Sequence, residues 1–307
     1  MLFQMKELCV HVLKIINSYK NTRKSCICRG ESKMLREKNE LEHICNEMRQ
    51  DILRMSRSAG DSGMHFGGTL SMIEIVCVLY LEIMQWSKDK IKQETRDRFI
   101  LSKGHGIPAV YAVLRQVGVI ELEEFDTFKK DETRLFGHPC IDKELGIEFS
   151  SGSLGQGLSL GVGSAIALKR KNNPAKVYVL LGDGECDEGA IWEAAMSASQ
   201  YGLNNLVAIV DRNKLQYDGD TERIMSLNSL EEKWKSFGWE VISIDGHDVE
   251  CCYEAFTYKC NKPLVIIANT IKGKGISFME NEMMWHHKKM TKSQEKIAME
   301  ELGFAGI

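Results

Sequence analysis

The chain has 307 residues, 43% hydrophobic and 27% charged, with a net charge of −3, the balance of an ordinary globular protein. This excludes a basic nucleic-acid binder, and no apolar run reaches the length of a membrane span. The ten cysteines are scattered in a chain long enough to bury a full core, so a disulfide framework is not expected and a reducing cytoplasm is.

Residues 1–33 carry seven basic side chains against Glu7 and Glu31, while the rest of the chain is acidic. The short apolar stretch from Leu8 to Ile16 has no small-residue cleavage site after it, which makes a poor signal peptide. The expected organisation is a loosely ordered extension over 1–33 and one domain over 34–307. From Met34 to Ala59, Leu41, Ile44, Cys45, Met48, Ile52 and Met55 recur at helical spacing. Leu70 to Met84 reads as a second, more buried helix. Arg98 to Ser102 is a short strand running into Gly104, His105 and Gly106, with a helix from Pro108 to Gln116. The loop Ser151 to Gly157 opens a helix spanning Leu154 to Lys171.

Two apolar runs follow, Val177 to Leu181 and Val207 to Val210, each ending in turn-forming polar residues. Glu240 to Ile244 and Leu264 to Ala268 read as further strands, separated by helices over Ser229–Phe237 and Val249–Cys260. Strands alternating with helices predict an α/β domain, a parallel β-sheet covered by helices on both faces. Such a sheet presents side chains at the carboxyl ends of its strands, where open α/β folds bind ligands.

Those ends carry the chemistry. Gly182 and Gly184 flank Asp183, and Asn213 stands at the tip of the next run. One carboxylate plus neutral oxygens suits Mg²⁺, which takes about six oxygens and keeps few protein ligands. Each residue alone could also be an ordinary turn residue. Gly152, Ser153 and Leu154 precede a helix, where free N–H groups favour an anion. Gly161 and Gly163, further into that helix, are expected to serve packing. Of eight histidines, His65, His105, His138 and His286 sit beside glycines or turns, placed to donate to hydroxyls and move protons. His11 and His43 are read as structural, and His247 and His287 are left open.

Taken in order, Leu101 to Gly106, Phe136 to Pro139, Gly152 to Gly157, Gly182 to Gly184, Glu188-Gly189, Asp245 to Asp248 and Trp285-His286 resemble the motifs of transketolases. The likeness runs from about Met34 to the C-terminus and corresponds to that family's N-terminal, diphosphate-binding domain. It implies the thiamine diphosphate-binding fold, with thiamine diphosphate and Mg as cofactors. Asp183, Asn213 and the Leu215 carbonyl would hold the metal. Gly152, Ser153, Leu154, Gly184, Asn213, His105 and His286 would contact the cofactor. His65, His138 and His286 would line the substrate channel. Glu188 matches a carboxylate that joins paired active sites across the subunit interface, although a helix N-terminus alone also favours an acid there. Two departures stand out: Met64-His65-Phe66 replaces the usual Gly-His-Pro, and Ser153 replaces a common Pro.

A full transketolase continues through a second α/β domain that supplies a Glu and stacking aromatics to the aminopyrimidine. The resemblance therefore implies a split enzyme. This chain would be its N-terminal subunit, its partner would be a separate C-terminal subunit, and two copies of each would assemble. The expected reaction moves a two-carbon ketol unit from an acidic sugar, such as a ketose phosphate, to an aldose. The α subunit of a 2-oxoacid dehydrogenase is an alternative that the histidine set disfavours. A non-catalytic cofactor-binding scaffold is another.

Overall fold

The structure is a computed structural model that describes residues 33–303, so the expected 1–33 extension lies, but for Lys33, outside the described residues. The helices in order are α1 (Lys38–Ala59), α2 (Phe66–Leu70), α3 (Ile73–Val78), α4 (Ile107–Gln116), α5 (Gln156–Arg170), α6 (Gly189–Gln200), α7 (Thr221–Ile224), α8 (Leu230–Ser236), α9 (Val249–Thr257) and α10 (Lys292–Glu301). The strands are β1 (Arg98–Leu101), β2 (Val177–Gly182), β3 (Leu206–Arg212), β4 (Glu240–Asp245) and β5 (Leu264–Asn269). They form one five-stranded sheet in the order β1-β2-β3-β5-β4, every pair parallel.

Because side chains alternate along a strand, the apolar runs feed two cores at once. Tyr178, Leu180, Val207, Ile209 and Ile266 face one side, packed with Met48, Ile52, Val76, Leu114 and Phe256 from α1, α3, α4 and α9. Val177, Val179, Leu181, Ala208 and Val210 face the other, against Leu158, Ala165, Ile191, Ala198 and Trp234 from α5, α6 and α8. Helices therefore cover both faces, as the alternation of elements predicts. β4 lies at an edge, and its side chains are correspondingly only half-buried or exposed.

The register sets the site. Gly182 is level with Asp211, Asp211 with Ala268, and Arg212 with Asn269, so β2, β3 and β5 end on one rim. Asp183 and Asn213 follow directly on those ends.

Three elements differ from expectation. The helix predicted over Leu70–Met84 is broken into α2, α3 and a π-turn at Leu79–Ile83. At the first break the Ser71 hydroxyl donates to the buried Asp211 carboxylate at 2.6 Å, fixing the chain to the sheet instead of letting the helix run on. α5 begins at Gln156 because Gly155 adopts a left-handed φ of 83°. α10 carries little apolar signal, burying only Ala298, and is secured by a Thr291–Gln294 capping box.

Candidate active site

Asp183 is 3% exposed and Asn213 is 7% exposed, on adjacent strand tips. The Gly184 N–H donates to Asp183 Oδ1 at 2.8 Å, and the Lys214 N–H donates to Oδ2. Leu215 N–H donates to Asn213 Oδ1 at 3.1 Å, which folds the Lys214–Leu215 turn back over the β3 tip. Burial, then the neighbouring Asp211 charge, push the Asp183 carboxyl up to about 6, although the two N–H donors work in the opposite sense. Among the described residues Asp183 has no side-chain cation bonded to it, only these backbone donors. A nearly sealed carboxylate in that condition is what a divalent cation would relieve.

The third expected metal oxygen behaves accordingly. Lys272 Nζ donates to the Leu215 carbonyl at 2.7 Å and lies 3.1 Å from His286 Nδ1. Lys272 is 1% exposed, and burial lowers its ammonium to about 8 despite the pull of Asp183. The Leu215 oxygen thus already meets a positive charge. One carboxylate, one amide oxygen and one backbone carbonyl fit a magnesium ion that takes its remaining oxygens from a diphosphate and water. No group of three His, Cys, Asp or Glu with metal-binding geometry occurs among the described residues, and this donor set does not need one.

Beside the strand tips lies the Gly-rich loop. The backbone N–H groups of Gly152, Ser153 and Leu154 have no partner among the described residues, and all three residues are exposed in the loop just ahead of Gly155, the N-cap of the 15-residue helix α5. Ser151 pins the loop: its N–H donates to the Pro139 carbonyl at 3.1 Å and its hydroxyl to the Leu101 carbonyl at 2.7 Å. Free backbone donors in a loop that leads into a helix N-terminus form an anion cradle, so the loop fits a diphosphate. Gly184 keeps the neighbouring surface close, since a Cβ there would lie 2.9 Å from Gln216 Oε1.

The four loop histidines are brought together, and His287 joins them. The His65 ring centroid lies 5.4 Å from His105, 5.6 Å from His138, 5.6 Å from His286 and 4.4 Å from His287. His105 and His286 are 5.3 Å apart. Burial, followed by the neighbouring imidazoles, holds His65 down at about 3, and burial and Lys272 hold His286 at about 4. His105 and His138 are lowered for the same first reason. All are therefore neutral at physiological pH, each with one N–H donor and one acceptor nitrogen. The ring nitrogens of His65, His105, His138 and His287 bond to no described residue, which leaves them for a ligand.

Glu188 caps α6 by position, without a side-chain capping bond, and its exposed carboxylate stands beside the Gly-rich loop. A Cβ on Gly155 would lie 2.8 Å from Glu188 Cβ, so the two segments are in contact. His247 stands apart from the cluster: its Nδ1 is 2.9 Å from Glu74 Oε2, and its Nε2 accepts from the Ile271 N–H at 2.8 Å. It ties β4 to the segment carrying Lys272.

The charged floor of the site was not foreseen from the sequence. Lys103 and Asp211, 1% and 0% exposed, form an ion pair beneath the strand tips. Burial alone would raise Asp211, but Lys103 and the Ser71 and Thr270 hydroxyls hold it below the usual carboxylate range. Glu185 accepts from Gly155 N–H and Gly182 N–H, each at 2.9 Å, and from the Ser102 hydroxyl, locking the cradle to β2. The available signal was a charge inside an apolar run, as with Asp211 after Val210.

A parallel sheet with an anion cradle, a caged carboxylate and an imidazole cluster at one rim defines a thiamine diphosphate-binding α/β domain. The family profile "Transketolase, thiamine diphosphate binding domain" matches residues 43–306, and the chain belongs to the transketolase family. It is 46% identical over 241 residues to one of the subunits of the apulose-4-phosphate transketolase of Phocaeicola vulgatus, covering 78% of this chain and 85% of that one. It is 42% identical over 266 residues to the 6-deoxy-6-sulfo-D-fructose transketolase subunit SqwG of a Clostridium species, covering 86% and 96%. The crystal structure of transketolase from Campylobacter jejuni superposes with a TM-score of 0.81 at 30% identity over 88% of this chain. This chain spans 43% of that longer one.

Proposed function

We propose that this chain is the N-terminal, cofactor-binding subunit of a two-chain transketolase, moving a two-carbon ketol unit from an acidic ketose to an aldose acceptor. The domain is taken as residues 34–307, its metal as Mg²⁺, its compartment as the cytoplasm and its assembly as two copies of each subunit. The observation that carries the reading is the rim where Asp183 and Asn213 follow the level ends of β2 and β3, with the Gly-rich loop tied alongside through Glu185 and the imidazole cluster reached through Lys272, which bonds the Leu215 carbonyl and lies beside His286. The relatives named as subunits support the two-chain assembly, because this chain matches 85% and 96% of their length. Their named substrates, one a phosphate and one a sulfo sugar, support an acidic ketose.

When bound, thiamine diphosphate supplies the nucleophilic carbon and electron sink for cleavage beside a carbonyl. The residues of this chain do the rest. Asp183, Asn213 and the Leu215 carbonyl would hold the cation that neutralises the diphosphate, and the Gly152, Ser153 and Leu154 N–H groups would donate to the diphosphate. His65, His138 and His286 donate to ketose hydroxyls and carry protons to and from the reacting oxygens. They do this as neutral imidazoles, since protonated ones would repel each other and Lys272. Glu188, exposed beside the cradle, is assigned as the carboxylate that would join paired active sites across the subunit interface.

The test is reconstitution with the candidate partner encoded by the neighbouring open reading frame. The mixed chains should transfer ketol units between a ketose phosphate and an aldose in the presence of thiamine diphosphate and Mg²⁺, and each chain alone should not. Turnover of a 2-oxoacid without ketol transfer would overturn the reading.

A further inference from the structure

The imidazole cluster has two inner cations and an outer one. At the inner end Lys103 is paired with Asp211 and Lys272 is held by the Leu215 carbonyl. The outer cation is Lys129, and it has no carboxylate partner among the described residues. Its ammonium donates to the Gly63 carbonyl at 2.8 Å, leaving two N–H donors with no hydrogen-bond partner among the described residues. The placement is fixed at some cost, because Lys129 has a left-handed φ of 60°, unusual for a side chain of this kind. Its stem crosses Gly137 so closely that a Cβ there would lie 2.5 Å from Lys129 Cε. Gly137 directly precedes His138, and Gly63 lies two residues before His65.

The His287 segment packs on the same glycine that Lys129 bonds: a Cβ on Gly63 would lie 3.0 Å from the Lys288 carbonyl carbon. Met64 and Lys288 exchange two backbone hydrogen bonds of 3.1 Å each, clamping the His65 and His287 segments together. The His287 ring lies 4.4 Å from His65 and is exposed, with unpartnered nitrogens. The Lys129 charge depresses His65, His138 and His287 together, so it lies within electrostatic reach of all three. An ammonium with no carboxylate partner among the described residues, held over the Phe128 ring at 5.9 Å and near neutral imidazoles, is an arrangement for an oxyanion.

We propose that Lys129 and His287 form an oxyanion subsite at the outer edge of the cluster, through which this chain itself selects ketoses carrying a phosphate or sulfonate group. This rests on the transketolase reading and narrows its substrate class.

The test uses the complete complex, loaded with thiamine diphosphate and Mg²⁺ so that the diphosphate cradle is filled. Calorimetric titration with an alditol phosphate, which has no carbonyl and cannot react, reads binding alone. Lys129→Met should weaken it about tenfold or more, His287→Asn by less, and Lys129→Arg should retain most of the affinity. The ratio of kcat/KM for a ketose phosphate over the same ketose without phosphate should fall in parallel. An alditol sulfonate, a monoanion where the phosphate is largely a dianion, should bind the wild-type complex more weakly and lose affinity in Lys129→Met as the phosphate does. A sulfonate whose binding ignores Lys129 would restrict the subsite to phosphate. The subsite is refuted if Lys129→Met leaves alditol phosphate affinity unchanged, or weakens the plain alditol equally. A wild-type complex that binds the alditol phosphate through Lys129 yet transfers no ketol unit would refute the transketolase reading instead, leaving the subsite standing.

Discussion

Asp183 is costly to the metal-free protein because it is a carboxylate buried next to another one. Its folded pKa of about 6 lies above the ordinary 3.8, so the folded chain holds a proton that the unfolded chain has released between those values. Stability is therefore greatest below the lower value and falls as pH rises through the upper one, by roughly 3 kcal/mol. Urea titrations of Asp183→Asn and wild type without metal should show this component missing in the variant, and Mg²⁺ with cofactor should offset it in wild type only. Parallel pH profiles for the two proteins would contradict the assignment. The imidazoles run the other way. His65 and His286 have folded values of about 3 and about 4 against an ordinary 6.5. Their contribution is complete above 6.5 and is lost as pH falls toward those values. The acid limb of the reconstituted activity set by His65 and His286 should consequently lie well below pH 6.5. An acid limb centred at the ordinary imidazole value would show that these rings are charged in the working enzyme. Asp183, Asn213 and the glycine-flanked histidines were legible because each follows an apolar run or sits in a turn. Lys103, Lys272 and Lys129 were not: a lysine in a loop looks solvated until the fold encloses it.

Among the elements, α5 shows how one helix combines packing and exposure. Gly161 and Gly163 were both expected to serve packing, and the structure separates them. A Cβ on Gly161 would lie 2.5 Å from Val179 Cγ2, whereas nothing lies within 4 Å of one on Gly163. Gly161→Ala should cost about 1–3 kcal/mol by pushing α5 off the sheet, and Gly163→Ala should gain about 0.5–1 kcal/mol from helix propensity. Thermal unfolding of the two variants would read opposite shifts in Tm, and equal shifts would contradict the packing shown. Gly273 is a stricter case: its φ is 79° and a Cβ would meet the Met279 carbonyl at 2.3 Å. Gly273→Ala should destabilise by about 2 kcal/mol or more, since backbone cannot yield as a side chain can, and should displace the adjacent Lys272. The strands were readable because continuous apolar runs end abruptly at Gly182 and Arg212. The break between α2 and α3 was not, since Ser71 is diverted by a hydrogen bond to a residue 140 positions away. Helix periodicity carries no trace of such a contact.

For the whole molecule, the sheet order and its level rim convert separate sequence motifs into one site. Loops after β1, β2, β3 and β5 deliver His105, Asp183, Asn213 and Lys272 to the same edge, while the Gly-rich loop and the His65 and His287 segments close around it. No described helix is long and apolar enough to cross a membrane. The central claim is that the β2 and β3 tips grip one divalent cation and, through it, a diphosphate. The most direct measurement is calorimetric titration of thiamine diphosphate into the assembled complex, with and without Mg²⁺, for wild type and Asp183→Ala. Wild type should bind in a Mg²⁺-dependent manner, and the variant should lose about a hundredfold or more in affinity and its response to Mg²⁺. Equal, metal-independent affinity in both proteins would contradict the account.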